Sequence, residues 1–415
     1  MNLKHIFKII WAERYQNTWL LLELIFIFCI LWFCTDYLFF IGKRYIEPKG
    51  FNIENTYLVD IGIKEEAQPL FGDEENRESL NDDFWRLLDR IKNYPGVDDI
   101  SLSLYCYPYT GSFNGSGFKV DSANGFARIN IVSPGFFNVF KIDMDQGKVF
   151  DWGEKKIIIS SNREGQFVDH PINEVKTVRD HANLDEIFEV CGIANKSKRS
   201  EFDDYIPIVY RLMDKNNLNI PELDVCIRVK PEADKNFIQN FAEEMETKLD
   251  VGPYYLNIIT SIEDGRKNYM EWTGFDNDLK SIYSISVFLI INIFLGIIGA
   301  FWFRTQSRRS EIGLRIAIGS SKNEVKSMFI KEAVLLLFLA SVAAAILCIN
   351  ITIIDVLKNV GIPETDPNDG LSDTTSYIVN YGFTFLFLAI IAIIAVWYPT
   401  RSAAKTQPAE ALRDE

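Results

Sequence analysis

Four stretches of this chain are too long, too oily and too poor in charge to sit in an ordinary soluble core. They are Thr18–Ile41, Ile282–Phe303, Ala333–Ile354 and Ile378–Trp397. Each comes close to the ~20 mostly apolar residues that a helix needs to cross a bilayer. The last three hold no Asp, Glu, Lys, Arg or His across their length, which a core helix rarely manages. The first carries Glu23 and Asp36. An Asp-like residue at mid-membrane costs about 2.5–3.5 kcal/mol, but both acids stand within two turns of an end and can snorkel. The first stretch is not a cleaved leader: its apolar run is too long, it contains acids, and no small-residue cleavage site follows. A chain with four such blocks is expected to be a multi-pass membrane protein.

Composition becomes informative once these blocks are set aside. The chain has 415 residues, 43 Lys+Arg against 57 Asp+Glu, and a formal net charge of −14. Residues 42–280 hold 29 basic and 43 acidic side chains, which is −14 by themselves, while the remainder holds 14 of each. The acidity therefore belongs to one long inter-span segment. Nucleic acid is excluded as a main partner, because phosphate backbones call for clustered Lys and Arg. A cationic partner for the acidic segment is allowed by its field, although solubility alone explains the charge.

Orientation follows from the short loops. Residues 304–331 carry seven Lys/Arg against two Glu, a net of +5, and residues 355–377 carry five acids against Lys358, a net of −4. Positive loops stay inside, so 304–331 is expected in the cytoplasm, both termini with it, and 42–280 outside. Lys4, Lys8 and Arg14 agree; Lys43, Arg44 and Lys49 just after the first span are mild counter-signals. The expected order is a cytoplasmic amphipathic segment (1–17), span one (18–41), an extracytoplasmic domain (42–280) and span two (281–303). A cytoplasmic loop (304–331), span three (332–354), a short outer loop (355–377), span four (378–398) and a cytoplasmic tail (399–415) complete it.

Within 42–280 the patterns alternate between strand and helix. Strand-like runs stand at Phe51–Gly62, Asp98–Cys106, Ala127–Val132, Lys155–Ser160, Ile187–Ala194, Tyr205–Tyr210, Leu223–Val229 and Tyr254–Thr260. Amphipathic helices are predicted at Ser79–Tyr94, with Ser79 and Asp82 as a start signal, and at Ala233–Leu249. The mixture predicts an α+β domain of two subdomains rather than a sandwich. Ser261 and Asp264 open a further helix, and no proline interrupts the chain from there to Phe303. One helix over that range would be a rigid stalk into span two; Gly265 and Gly274 make a break near Gly274 the competing reading.

Chemistry-bearing residues are sparse. The three histidines, His5, His170 and His181, fall in no metal or nucleophile motif, and H-E-x-x-H and G-x-S-x-G are absent. His170 and His181 with Cys191 match no standard ligand spacing. Clusters such as Asp73–Glu75 and Asp203–Asp204 are expected to be solvated faces. Cys29, Cys34 and Cys348 lie in spans as packing residues. Cys106, Cys191 and Cys226 lie outside in predicted strands, an odd set that allows at most one internal pair, with buried free thiols as the default. Gly296 and Ala300 in span two, and Ala340 and Ala344 in span three, make small-residue faces for close packing within the chain or against a second copy. No catalytic, cofactor-binding or metal-binding set emerges, so the chain is not expected to be an enzyme.

The segment Arg304–Glu332 is the most specific feature. Glu311 and Arg315 stand at i, i+4 in the favourable order, Gly319 is placed to stop a helix, and Ser321 with Glu324 forms a capping box. A short helix, a tight turn and a helix entering span three are predicted. An ordinary basic loop anchored by lipid headgroups is the plain alternative to a helix that docks on a cytoplasmic partner.

These residues resemble the signature of the FtsX-like permease family, R-x-x-E-I-G-[IL]-R-x-A-[IL]-G, here Arg308, Glu311, Ile312, Gly313, Leu314, Arg315, Ala317, Ile318 and Gly319. The tail is similar to the family's closing pattern through Pro399, Arg401, Ala403, Pro408, Glu410, Ala411, Leu412 and Arg413. Val132–Phe150 resembles the V-S-P-G-[YF]-F…G-x-x-F run of MacB-type periplasmic domains. The resemblance implies a MacB-type ABC transporter permease in the bacterial cell (inner) membrane, working by mechanotransmission in efflux or export. It implies four transmembrane helices with a large α+β extracytoplasmic domain between the first two. It assigns ATPase coupling to Arg308, Glu311, Ile312, Gly313, Leu314, Arg315, Ala317 and Gly319. It also implies as partners a second permease chain, in a homo- or heterodimer, and a cytoplasmic ABC ATPase, and it allows a periplasmic adaptor and an outer-membrane channel. No G-x-x-x-x-G-K-[ST] occurs and about seventeen residues precede span one, so ATP-Mg is expected in an ATPase in trans and no cofactor in this chain. A lipoprotein-release or peptide-sensing permease shares this architecture, and a membrane-anchored sensory or structural protein without an ATPase is the other class; the substrate is not legible.

Overall fold

The computed structural model describes residue 8 and residues 10–120, 123–162, 175–180, 187–353 and 373–403. His5, His170 and His181, most of the 355–377 loop, and the tail motif beyond Ala403 lie outside the described residues. The chain divides into two compact units, Lys43–Asp276 and a unit made of Met1–Gly42 with Asn277–Glu415. A long helix, α1 (Arg14–Ile46), leads out of the second unit.

The 43–276 unit begins with β1 (Thr56–Ile63), α2 (Arg77–Lys92) and β2 (Val97–Leu104). A long excursion follows through β3 (Asn114–Val120), β4 (Ala123–Val132), α3 (Gly135–Phe140), β5 (Met144–Gly147), β6 (Lys156–Ser160), β7 (Thr177–Asp180), β8 (Ile187–Ala194) and β9 (Ile208–Leu212). The chain then returns through β10 (Leu223–Val229), α4 (Phe237–Met245) and β11 (Tyr254–Ser261). Strands β11-β1-β10-β2 run side by side and antiparallel. With α2 and α4 they make a β-α-β-β-α-β unit of the ferredoxin-like kind. The excursion is inserted where that unit would have a hairpin, between β2 and β10.

The inserted part closes on itself. Strand β4 pairs with β3, β3 with β7, β7 with β8, β8 with β6, β6 with β9, and β9 back with β4 in parallel register. Closure removes free edges, which exposed strands otherwise leave for stray pairing. Its interior is filled by Phe118, Ala127, Ile157, Ile159, Val178, Ile193 and Val209. Taken together the 43–276 unit mixes strands and helices, as the α+β expectation has it.

Each face of the ferredoxin-like sheet has its own cover. Phe84, Leu87, Leu88 and Ile91 of α2, at helical spacing, and Phe237, Phe241 and Met245 of α4 pack on Tyr57, Val59, Val225 and Ile227. The opposite face meets a second core containing Cys226, Phe136, Phe137, Phe140, Phe150 and Tyr210. The Val132–Phe150 motif builds that core. A Cβ on Gly135 would stand 2.1 Å from the Ile100 carbonyl oxygen, and Gly147 has φ +74, so both glycines answer to a close approach or a left-handed turn.

Several local expectations are corrected. Helix α2 starts at Arg77 rather than Ser79, and its N-terminus receives no side-chain cap; a preceding 3-10 turn, Glu74–Asn76, feeds it directly. Strands β3, β5 and β7 escaped prediction: β3 carries two glycines, and β5 and β7 have four residues each. Cys106 lies past the end of β2, and Cys106, Cys191 and Cys226 are all free thiols. The uninterrupted stalk does not form. Helix α5 (Ile262–Trp272) is capped by Ser261, whose Oγ accepts the Asp264 N–H at 3.1 Å. It stops where the Thr273 hydroxyl bonds back to the Tyr269 carbonyl at 2.8 Å and Gly274 takes φ +75.

Among the described residues the other unit holds four helices long and apolar enough to cross a membrane: α1, α6 (Phe275–Ser307), α8 (Lys322–Ile353) and α9 (Asp373–Ala403), with a short α7 (Arg309–Ala317) between α6 and α8. At 1.5 Å per residue the 33 residues of α6 run ~50 Å, more than the ~30 Å hydrocarbon layer requires. The core joins Phe28, Leu31 and Trp32 of α1, Ile293 and Phe301 of α6, Leu336, Leu337 and Ala340 of α8, and Ala392 and Ala395 of α9. Ala340 and Ala344 are fully buried inside the chain, with the Cys29 thiol donating to the Ala344 carbonyl at 3.8 Å. Gly296 is also used internally, since a Cβ there would meet Glu23 Oε1 at 2.5 Å. Asp36, rather than reaching for solvent, accepts from Asn380 Nδ2 at 3.0 Å, a polar tie between α1 and α9 of the kind that joins membrane helices.

Candidate functional site

The site is the elbow between α6 and α8. Helix α6 ends at Ser307, and Arg308 leaves helical geometry with φ −106 before α7 begins. Helix α7 closes with a two-bond C-terminal cap: Ser320 N–H reaches the Arg315 carbonyl at 2.9 Å and Gly319 N–H the Ile316 carbonyl at 3.1 Å. That closure needs a left-handed residue after the helix, and Gly319 supplies it with φ +106. Ser321 then caps α8, its Oγ accepting the Glu324 N–H at 3.2 Å while Glu324 Oε2 accepts the Ser321 N–H at 2.8 Å. The predicted short helix, stop and capping box are all present.

Around the elbow lies a polar network that binds four pieces of chain together. Arg304, near the end of α6, donates from Nη1 to Glu332 Oε1 at 2.7 Å and from Nη2 to the Asn17 side chain of α1. Arg308 donates from Nη1 to Glu332 Oε2 at 3.1 Å and from Nε to Glu311 Oε2 at 3.0 Å, and lies 3.6 Å from Glu13. Arg315 donates from Nη2 to Glu311 Oε1 at 2.6 Å. Arg304 and Glu332 are only 5% and 1% exposed. Three guanidiniums face three carboxylates, so the buried charges balance, as desolvated ions must. Burial works to raise the Glu311 carboxyl, but Arg308 and Arg315 outweigh it and hold the group below the usual carboxylate range.

The residues singled out in the sequence divide by role. Arg308, Glu311 and Arg315 belong to the network. Ile312 and Gly313 are buried against the bundle, and Ile312 belongs to the membrane-unit core. Leu314 and Ile318 point outward, 50% and 77% exposed, on one helix face by their i, i+4 spacing. Ala317 and Gly319 are exposed at the helix end. Sequence reasoning missed Arg304, Glu332, Asn17 and Glu13. The available signal was an arginine immediately after one oily block and a glutamate immediately before the next.

Residues 283–408 match the family model for the FtsX-like permease C-terminal region. The macrolide export ATP-binding/permease protein MacB of Escherichia coli strain K12 is 25% identical over 314 residues, covering 70% of this chain and 44% of that protein. MacB of Salmonella typhimurium is 24% identical over 310 residues, covering 69% of this chain and 43% of that protein. The chain thus spans under half the length of the curated relatives it matches. Among solved structures, the periplasmic region of MacB from Actinobacillus actinomycetemcomitans aligns with 55% of this chain and 98% of its own, at 12% identity and a TM-score of 0.33. The extracellular domain of the noncanonic ABC-type transporter YknZ from Gram-positive bacteria aligns with 49% of this chain and 100% of its own, at 15% identity and a TM-score of 0.31. The matched stretch runs from within α6 through the elbow and α8 into α9 and beyond, and over it this multi-pass membrane protein is similar to the FtsX-like permeases.

Proposed function

We propose that the chain is the membrane subunit of a MacB-type ABC transporter, in which a separate ATPase acts on the elbow and the resulting motion reaches the 43–276 domain to drive export. The observation that carries this reading is the construction of α7. Arg308 at its start is tied to Glu332 of α8 and lies 3.6 Å from Glu13, and Ile312 is buried in the bundle core, while Leu314 and Ile318 are left exposed on the outer face. A helix so fixed on one side passes a push on its apolar face into α6 and α8, rather than absorbing it as a loose loop would. Hydrolysis of ATP-Mg belongs in this reading to the partner; no P-loop sequence occurs in the chain. The net +5 of residues 304–331 supports placing the elbow, and with it both termini, in the cytoplasm and residues 42–280 outside. A second permease chain completes the assembly.

The test is co-purification of the detergent-extracted chain with the ATPase encoded beside it. Leu314→Glu with Ile318→Glu is expected to release the ATPase, and Glu311→Gln or Gly313→Leu to uncouple hydrolysis while the 43–276 domain stays folded. Unchanged binding and coupling in all of these would sink the docking role; absence of any ATPase partner would favour a sensory membrane protein.

A further inference from the structure

Arg128 is the most anomalous side chain outside the elbow. It lies on β4 and is 7% exposed. Its Nε has no hydrogen-bond partner, and it makes no ion pair among the described residues. Instead its guanidinium stands 6.0 Å from the ring centre of Phe113, and the guanidinium of Arg199 stands 5.7 Å from the same ring. A second like charge is thus brought to a group already stripped of water. Burial pulls the Arg128 pKa down, and Arg199 pulls it further. Asp203 is the acid at hand, but it is engaged by Arg199 Nε at 3.3 Å, so two cations share one carboxylate. Two residues along β4, on the same strand face, Asn130 is 4% exposed and its Oδ1 also lacks a partner.

An arginine buried without an ion pair of its own is unfavourable, and buried polar groups without partners are rare in folded proteins. A trapped water could satisfy the hydrogen bonds, but it would leave the extra positive charge uncompensated. We propose that Arg128 and Arg199, with Asn130 beside them and Phe113 as the outer wall, form a recess that binds an oxyanion: a carboxylate, phosphate or sulfate group. The planar guanidinium fork suits two-point recognition of such a group. The oxygen and nitrogen of an Asn amide exchange places by a simple flip, so Asn130 can turn its NH2 towards the anion. Phe113, 52% exposed, leaves one side open to solvent. An anion held here neutralises the surplus charge within a domain that is otherwise strongly acidic. The site lies wholly within the 43–276 unit and does not depend on the transporter reading.

The experiment uses the full chain in detergent and inorganic sulfate as the probe, at fixed ionic strength against chloride. Saturable one-to-one binding by calorimetry and a rise in the unfolding temperature are expected. Arg128→Gln should weaken that binding tenfold or more, and Arg128→Lys less. Parallel titrations with acetate and phosphate then rank carboxylate against phosphate. Absence of saturable binding, or the same affinity in Arg128→Gln, overturns the proposal. If Arg128→Gln does not fold, Arg199→Gln, whose side chain is 21% exposed, carries the test, and unchanged sulfate affinity there is equally decisive.

Discussion

Arg304 Nη1 lies 2.7 Å from Glu332 Oε1 across 28 residues of chain, and neither side chain reaches solvent. The pair links the last turn of α6 to the third turn of α8, so the elbow between them is closed across its mouth. Removing Glu332 leaves Arg304 charged, buried and without an ion pair, and removing Arg304 leaves Glu332 with Arg308 as its remaining partner; breaking such a buried pair costs about 3–5 kcal/mol. Glu332→Gln and Arg304→Met are each expected to destabilise the membrane unit on that scale in detergent unfolding. The double variant Arg304→Met/Glu332→Leu should recover much of the loss. Additive losses in that double-mutant cycle would show that the pair is not coupled.

Gly319 is expected to resist substitution for a backbone reason. Its φ of +106 suits the cap that ends α7, and a left-handed conformation costs an L-residue about 1–2 kcal/mol. Gly319→Ala should loosen the elbow, read as faster hydrogen exchange of the Ser320 and Ile318 amides. Protection equal to wild type would mean the cap tolerates a side chain.

Gly135 tests the turn that opens α3. A methyl group there would stand 2.1 Å from the Ile100 carbonyl oxygen, far inside contact distance, so strand or helix must move. Gly135→Ala is expected to lower stability by about 1–3 kcal/mol, the range for an overfilled core. An unfolding temperature of the 43–276 domain equal to wild type would refute this.

Asp224 on β10 gives the 43–276 domain a pH dependence. Burial lifts its carboxyl to about 7, with Asp60 adding to the rise, although the Tyr105 N–H bonded to it at 2.8 Å works the other way. The unfolded value is near 4, so between about pH 4 and 7 the folded chain holds a proton that the unfolded chain has released. This contribution is fully present below pH 4 and is lost as pH rises through 7. Asp224→Asn should therefore flatten the decline in stability over that window and be the more stable form at pH 8. Parallel stability profiles for the two proteins would contradict the assignment.

How much of this was legible in the sequence follows from the range of the forces involved. The spans, the Ser261 cap, the Gly319 stop and the Ser321–Glu324 box were legible, because hydrophobic runs and capping act over a few residues. The break at Gly274 was visible as an alternative but could not be chosen, since two glycines weaken a helix without deciding where it ends. Strand β3, with Gly115 and Gly117, is held by pairing with β4 rather than by its own propensity. The ion network joins Glu13, Asn17, Arg304 and Glu332 from helices distant in sequence, and no local pattern announces such a meeting. The same holds for Arg128 and Arg199.

The insertion between β2 and β10 also sets an order in time. Strand β1 lies between β10 and β11 in the sheet, yet residue 223, where β10 starts, is made about 160 residues after β1 is complete. At 5–20 residues per second of synthesis, that interval is on the order of ten to thirty seconds. The closed barrel has all its strands in hand before β10 exists. The nascent chain therefore carries a finished barrel beside an unpaired central strand, and the later half of the domain must complete the sheet around it.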